Sequence, residues 1–259
     1  MTEPATSTVD VNGHACRVWT KGQGPRIGFL AGYGGLPRWI PFLDKLSQSR
    51  TVIVPSLPGF PGATGHNVLD THLDWVLAVR QLIEKAGLDG ADLAGSSVGG
   101  SFAAEMAALW PASVKKLVLI APFGLFDDKE PATDPWAQVA PSIAGLMCVN
   151  PKVYEDLKAM PPGANSVEWP IEQTRANEAA ARVFWPLGNT RLEKRLPLIK
   201  APTLVLWGDH DKLIPKSYAA TVAEAIGGRA RVQIIKDAGH LAELDQPDAV
   251  AKLVLEFTK

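Results

Sequence analysis

A serine flanked by two glycines is the feature of this sequence that most directly indicates chemistry. Ser97 is the central residue of the Gly-Ser-Ser-Val-Gly stretch at 95–99. The apolar run at 91–94 is typical of a buried strand, and good helix formers fill residues 101–110. Without that context the pattern indicates no more than a glycine-rich turn. A strand, a tight turn and a helix together predict a nucleophile elbow with Ser97 at its tip.

A serine hydroxyl is a weak nucleophile unless a base takes its proton and a third group orients that base. Among the five histidines, His240 follows the last predicted strand in the sequence Asp-Ala-Gly-His. Ligand sites in open α/β sheets lie beyond the carboxyl ends of the strands. We therefore predict that His240 is the base, and we assign His14, His66 and His72 to surface or capping positions.

The acid that orients the base has two candidate locations. Asp211 follows one predicted strand, and Asp127 and Asp128 follow an earlier one, so both locations are carboxyl ends. The chain order Ser, Asp, His favours Asp211, although the geometry has to decide between them. Asp209, two residues before Asp211, is expected to bond backbone N–H groups within its turn.

Cleavage of an acyl group also requires donors for the oxyanion of the tetrahedral intermediate. The backbone N–H of Val98, directly after the nucleophile, is the first candidate, because a helix N-terminus has free N–H groups and a positive end. The second is the N–H of Tyr33, in the glycine-rich loop at 31–35.

The remaining pattern predicts the elements that position these residues. Two β-rich runs at 6–11 and 15–20 meet at Asn12-Gly13, a strong hairpin signal. From residue 26 onward, strands alternate with helices. This alternation predicts an α/β fold with a mostly parallel central sheet, an antiparallel edge hairpin and helices on both faces.

The alternation breaks between residues 122 and 196, where prolines cluster and helical patches occur at 151–160 and 171–183. No strand is evident there, and the segment is too long for an ordinary crossover. We predict a helical insertion at 122–196 in a core domain made of residues 1–121 and 197–259.

Taken together, the motifs resemble the α/β-hydrolase superfamily, within its group of esterases, haloperoxidase-like enzymes and C–C-bond hydrolases. The segments that carry the resemblance are 31–35, 57–60, 95–99, 208–215 and 238–240. The resemblance implies that the insertion is a cap over the site. Two departures stand out: Ala31-Gly32 replaces the frequent His-Gly, and Leu241 occupies the place where many C–C hydrolases have Trp.

These observations predict a cofactor-free serine hydrolase, a carboxylesterase that acts on small to medium apolar esters through an acyl-enzyme. There is no metal-ligand pattern and no dinucleotide fingerprint in the sequence. Two other functions stay open. One is C–C hydrolysis of a dienoic ring-cleavage product by the same triad, and the other is a ligand receptor on a hydrolase scaffold with slow turnover.

Composition limits the partners. The net charge is -1 and no basic stripe is present, which argues against nucleic-acid binding. Residues 1–10 lack the apolar core of a signal peptide, and no apolar run approaches bilayer length. Cys16 and Cys148 are too few for a disulfide framework. We expect a cytoplasmic protein without membrane contact; its oligomeric state stays open, a homodimer included.

Overall fold

A mostly parallel sheet carries the elbow serine at the end of one of its central strands. The computed structural model describes residues 3–186 and 188–259, and within them eight strands pair in the order β1-β2-β4-β3-β5-β6-β7-β8. The strands are β1 Ala5–Val11, β2 His14–Lys21, β3 Arg26–Leu30, β4 Thr51–Pro55, β5 Ala91–Ser96, β6 Val114–Ile120, β7 Thr203–Gly208 and β8 Ala230–Ile235. The pairings from β4 through β8 are parallel.

Helices surround this sheet. Those of the described residues are α1 Pro41–Ser47, α2 His72–Lys85, α3 Ser97–Leu109, α4 Ala140–Met147, α5 Pro151–Lys158, α6 Glu168–Phe184, α7 Tyr218–Ile226, α8 Ala242–Asp245 and α9 Pro247–Phe257. Helix α1 packs against α9, whereas α2 packs against α3. The predicted fold class, an α/β sheet with helices around it, is confirmed.

The edge hairpin forms where the sequence predicts it. Strands β1 and β2 are antiparallel, and β2 is also antiparallel to β4. Asn12 and Gly13, which connect β1 to β2, have φ of 53° and 81°. Positive φ at both central residues is the geometry of a type I′ turn, whose twist matches that of the flanking strands.

Central strands β5 and β7 are buried at every residue. Helices cover both faces of a parallel sheet, which is why such strands are continuous apolar runs rather than alternating ones. One boundary differs from the prediction: the helix after β5 begins at Ser97 itself, not at residue 101. The elbow turn is so tight that strand and helix follow one another without a linker.

Helices α4, α5 and α6 lie in the segment between β6 and β7, and the described residues of 122–196 contain no strand. Helix α4 was not predicted, because its sequence begins with Ala-Pro and contains a glycine. At the end of this segment Arg195 donates to Glu105 of the elbow helix, with Nε 2.6 Å from Oε2. His72 Nε2 lies 3.0 Å from the other oxygen of that carboxylate. Burial acts to raise the pKa of Glu105, but the bonds from His72 and Arg195 outweigh it and lower the pKa.

Candidate active site

The predicted nucleophile occupies a strained turn. Ser97 has φ of 53°, a left-handed conformation that costs free energy for a residue with a side chain. The two flanking glycines leave the room that this turn requires. A Cβ on Gly99 would lie 2.2 Å from Leu30 O, and one on Gly95 would lie 2.4 Å from Gly99 O. The backbone of the elbow therefore packs directly against the backbone at the end of β3, and this packing holds Ser97 in place.

The structure brings the predicted base and acid to this serine. His240 Nε2 lies 2.8 Å from Ser97 Oγ, and His240 Nδ1 lies 2.9 Å from Asp211 Oδ2. A carboxylate can only accept, so Nδ1 carries the hydrogen and Nε2 is free to accept from the serine hydroxyl. Ser97 and His240 are both 0% exposed. The arrangement can move a proton from the serine to the imidazole.

Backbone donors fix the orientation of the Asp211 carboxylate. Its Oδ1 accepts from the N–H groups of Leu213 and Ile214 at 2.8 Å and 2.9 Å. These bonds leave Oδ2 for the imidazole. Because three donors converge on this carboxylate, its charged form is satisfied in a site closed to solvent.

Strands β7 and β8 bring the loops of Asp211 and His240 together. A Cβ on Gly208, at the end of β7, would lie 2.1 Å from Gly239 O, so only glycine fits there. Asp209 was predicted to bond the backbone of its own turn, but its carboxylate lies 3.3 Å from the N–H of Ala238 in the other loop. Asp209 therefore helps to hold the segment that carries His240.

The rival acids lie elsewhere. Asp127 accepts from the N–H of Lys129 at 2.9 Å, and its own N–H donates to Tyr218 Oη at 2.7 Å. Asp128 is exposed. The geometry therefore favours Asp211.

Two of the histidines predicted at surface or capping positions, His66 and His72, make tertiary contacts with glutamates. His66 is buried and its Nε2 lies 3.2 Å from Glu178 Oε2. His72 bonds Glu105, as described above. Tertiary pairing with glutamates, which sequence spacing does not reveal, explains both positions.

The predicted oxyanion loop approaches the nucleophile closely. A Cβ on Gly32 would lie 3.1 Å from Ser97 Cβ. Gly35 N donates to Gly32 O at 2.9 Å and closes a turn around Tyr33. Val98 is the second residue of α3, so its N–H belongs to the free donors of the first helical turn. The N–H groups of Tyr33 and Val98 are thus on the segments that meet at Ser97, and their role as oxyanion donors stays a prediction.

Aromatic side chains cover the triad. The Phe123 ring lies 5.6 Å from the His240 ring, measured between centroids. Phe123 also packs at 5.5 Å against Phe184 and at 6.2 Å against Trp136, which in turn lies 5.7 Å from Tyr33. This aromatic cover contributes to the complete burial of the His240 ring.

Glu243 is a buried acid beside the site, and the sequence pattern does not predict it. It lies in α8, three residues after His240, and its Oε2 is buried without a bonding partner among the described residues. Burial raises the pKa of Glu243 from 4.5 to about 7, while the Ser96 hydroxyl and the His240 ring act in the opposite direction. An acid flanked by Leu241, Ala242 and Leu244 is the one local signal of its burial.

We expect Glu243→Gln to stabilise the protein at pH 8 and to have little effect at pH 5. A raised pKa means that the folded protein holds this proton more tightly than the unfolded chain. The protonated Glu243 therefore contributes fully to the free energy of unfolding below about pH 4.5, and this contribution is lost as the pH rises through about 7. The free energy of unfolding falls by about 3 kcal/mol over this range, at roughly 1.36 kcal/mol per unit of pKa. Urea unfolding at both pH values measures it.

The control for this measurement is Glu256→Gln, on the exposed side of α9. It should change the free energy of unfolding equally at both pH values. A Glu243→Gln variant with the same difference from wild type at pH 5 and pH 8 would show that Glu243 is ionised throughout this range.

Other site types are not evident in the part of the chain that the structure describes. Residues 3–186 and 188–259 contain no group of three or more His, Cys, Asp or Glu side chains that could hold a metal ion. Helices long and apolar enough to cross a bilayer are also absent from these residues. Cys16 and Cys148 are both buried free thiols.

Comparisons with known proteins give one family. The model described as "Alpha/beta hydrolase family" matches residues 29–253. Monoacylglycerol lipase ABHD6 of Homo sapiens is 25% identical over 260 residues, which cover 91% of this chain and 76% of that protein. The 2-hydroxy-6-oxo-6-phenylhexa-2,4-dienoate hydrolase of Comamonas testosteroni is 27% identical over 261 residues, which cover 92% and 85% of the two chains.

A solved structure with the same fold is naproxen esterase (carboxylesterase NP) of Bacillus subtilis. It matches with a TM-score of 0.76 and 17% identity, over 99% of this chain and 92% of that one. At this identity the likeness concerns the fold alone.

Proposed function

Because this chain belongs to the α/β-hydrolase family and is a hydrolase, we propose that it is a serine esterase acting on small to medium apolar carboxylic esters. Ser97, His240 and Asp211 are its catalytic triad. The N–H groups of Tyr33 and Val98 form its oxyanion hole, and the helical segment at 122–196 is a cap that covers the acyl group.

In this mechanism Ser97 Oγ attacks the ester carbonyl while His240 Nε2 takes the serine proton. The oxyanion that forms accepts hydrogen bonds from the two backbone donors. His240 then gives the proton to the departing alcohol, which leaves an acyl-enzyme. Water, activated by the same imidazole, releases the acid. Asp211 keeps the hydrogen on Nδ1 and stabilises the imidazolium of each step.

The observation that carries the proposal is the hydrogen-bonded chain from Ser97 to His240 to Asp211, at 2.8 Å and 2.9 Å. A serine paired to an oriented imidazole is the arrangement that nucleophilic catalysis requires. The strained φ of Ser97 supports the same role, since strain of this kind clusters at functional sites.

A fluorophosphonate probe tests the proposal directly, because it reacts covalently with a serine activated in this way. Mass spectrometry of the labelled protein should locate the phosphonate on Ser97. Turnover of p-nitrophenyl esters then separates an esterase from a receptor. Labelling at Ser97 together with no measurable ester turnover would favour a ligand receptor with a hydrolase fold.

The second candidate, C–C hydrolysis, is favoured by the similarity to the dienoate hydrolase. Two features speak against it. Leu241, at the place where many C–C hydrolases have Trp, offers neither an N–H donor nor an aromatic face. The four arginines of residues 122–196 that could hold a substrate carboxylate are also either paired with a glutamate or exposed. Arg195 binds Glu105, Arg182 binds Glu178 at 3.0 Å, Arg175 lies 3.6 Å from Glu172, and Arg191 is exposed.

We expect p-nitrophenyl butyrate and its neighbours in chain length to turn over far faster than a 2-hydroxy-6-oxo-dienoate. An ester needs the triad, the oxyanion donors and an apolar pocket, whereas the dienol must also be converted to a ketone and its carboxylate held. The measurement is kcat/KM for both substrate classes. A dienoate value tenfold above that of the best ester, about 1.4 kcal/mol in transition-state binding, would reverse the assignment.

A further inference from the structure

Lys158, at the end of cap helix α5, contacts the predicted oxyanion loop. Its Nζ lies 2.7 Å from Gly34 O and 2.9 Å from Gly35 O, so one ammonium group binds two successive carbonyls. The two contacts are long-range, because Lys158 is separated from Gly34 by 124 positions in the chain and from Gly35 by 123. They are polar bonds between the segment at 122–196 and the loop beside Ser97.

The loop is built to present both carbonyls to one cation. Gly34 and Gly35 have φ of 69° and 63°, two successive left-handed residues. A Cβ on Gly34 would lie 2.9 Å from Lys158 Nζ, so the close approach of the side chain needs glycine there. The bond from Gly35 N to Gly32 O closes the turn on its other side. Lys158 therefore binds the carbonyl groups of the two residues that directly follow Tyr33.

The surroundings of Lys158 show that these carbonyls are its main partners. No carboxylate lies within ion-pair distance of its Nζ among the residues that the structure describes. Its Nζ lies 5.7 Å from the centre of the Tyr154 ring. Burial lowers the pKa of Lys158 to about 7, and Glu172 only partly counters this effect. A lysine placed here gives up favourable hydration, which a surface position on α5 would have kept.

We propose that Lys158 is a positioning residue that fixes the oxyanion loop from helix α5, so that the Tyr33 N–H points at the developing oxyanion. The proposal rests on the esterase function proposed above. Interactions made only in the transition state raise kcat rather than lower KM.

The test compares Lys158→Met with Lys152→Met. Methionine keeps the apolar stem of the lysine and removes the donors. Lys152 is on the same helix, but its Nζ binds Asp156 at 2.8 Å on the surface. With p-nitrophenyl butyrate, Lys158→Met should lower kcat by about ten- to a hundredfold with KM within about twofold. Lys152→Met should match wild type, and Lys158→Arg, which can still donate to a carbonyl, should recover part of the loss.

Two further measurements distinguish positioning from general destabilisation. A trifluoromethyl ketone forms a serine adduct with an oxyanion, so its Ki should rise in Lys158→Met by about the factor by which kcat/KM falls. Amide hydrogen exchange at residues 32–36 should also become faster in that variant and stay unchanged in Lys152→Met.

Unchanged exchange in this loop would overturn the proposal, whatever the ester activity. Faster exchange with unaltered kcat and Ki would overturn it too, because the loop would then be free without effect on the oxyanion. A wild-type protein that neither labels at Ser97 nor hydrolyses esters would refute the esterase function instead, and the exchange experiment would still decide whether Lys158 holds the loop.

Discussion

Replacing Ser97 with Ala, or His240 with Ala, is expected to lower kcat for ester hydrolysis by about a millionfold and to leave the fold intact. Ser97 supplies the atom that bonds to the acyl carbon, and His240 Nε2, 2.8 Å from it, removes its proton. Without either group the remaining catalysis comes from the oxyanion donors and substrate binding. Initial rates with p-nitrophenyl butyrate at saturating concentration measure the loss.

The matched control is Ser101→Ala. Ser101 is a buried serine of the same helix, one turn after Ser97. Its removal should leave kcat near the wild-type value, and far-ultraviolet circular dichroism should show all three variants folded. If Ser97→Ala or His240→Ala kept more than about a tenth of wild-type turnover, far above the residual activity expected, the triad assignment would be wrong.

Asp211→Asn is expected to lower kcat by about ten-thousandfold. An asparagine amide turned toward the imidazole places an N–H beside Nδ1, so Nδ1 becomes the acceptor and the hydrogen moves to Nε2. The imidazole can then no longer accept the proton of Ser97, although its position is nearly unchanged. The measurement is again kcat with p-nitrophenyl butyrate.

Asp127→Asn and Asp128→Asn are the controls, because both aspartates follow the carboxyl end of β6, whereas Asp211 follows that of β7, and their contacts differ from those of Asp211. Each should retain near wild-type kcat. A severe loss in Asp128→Asn beside a nearly normal Asp211→Asn would move the orienting acid to the earlier strand.

Much of the fold followed from local pattern. The Asn12-Gly13 hairpin formed as predicted because two residues with positive φ are enough to set its turn. The succession of strands and helices was recognisable because buried strands are short, mostly apolar runs, whereas helices carry apolar residues at helical spacing. Element ends were less certain: the helix after β5 begins at Ser97 rather than 101, and α6 begins at Glu168 rather than 171. Ends depend on caps and packing that a periodic pattern does not contain.

The site divides in the same way. The sequence by itself determined the elbow around Ser97, because a turn between strand and helix with glycines two residues before and two after the serine is a local requirement of backbone sterics. It also limited the base and the acid to a few residues at carboxyl strand ends. Only the tertiary structure favours Asp211 over Asp127 and Asp128, since the bond from Asp211 to His240 joins residues 29 positions apart.

The tertiary structure alone also revealed Glu243 and Lys158. Glu243 looks like an ordinary acid of a short helix until burial removes its water and raises its pKa. Lys158 looks like a surface lysine of α5 until the tertiary structure places its ammonium on the carbonyls of Gly34 and Gly35. Local sequence fixes conformations that a few neighbouring residues can enforce, whereas desolvation and long-range hydrogen bonds arise only when distant segments pack against one another.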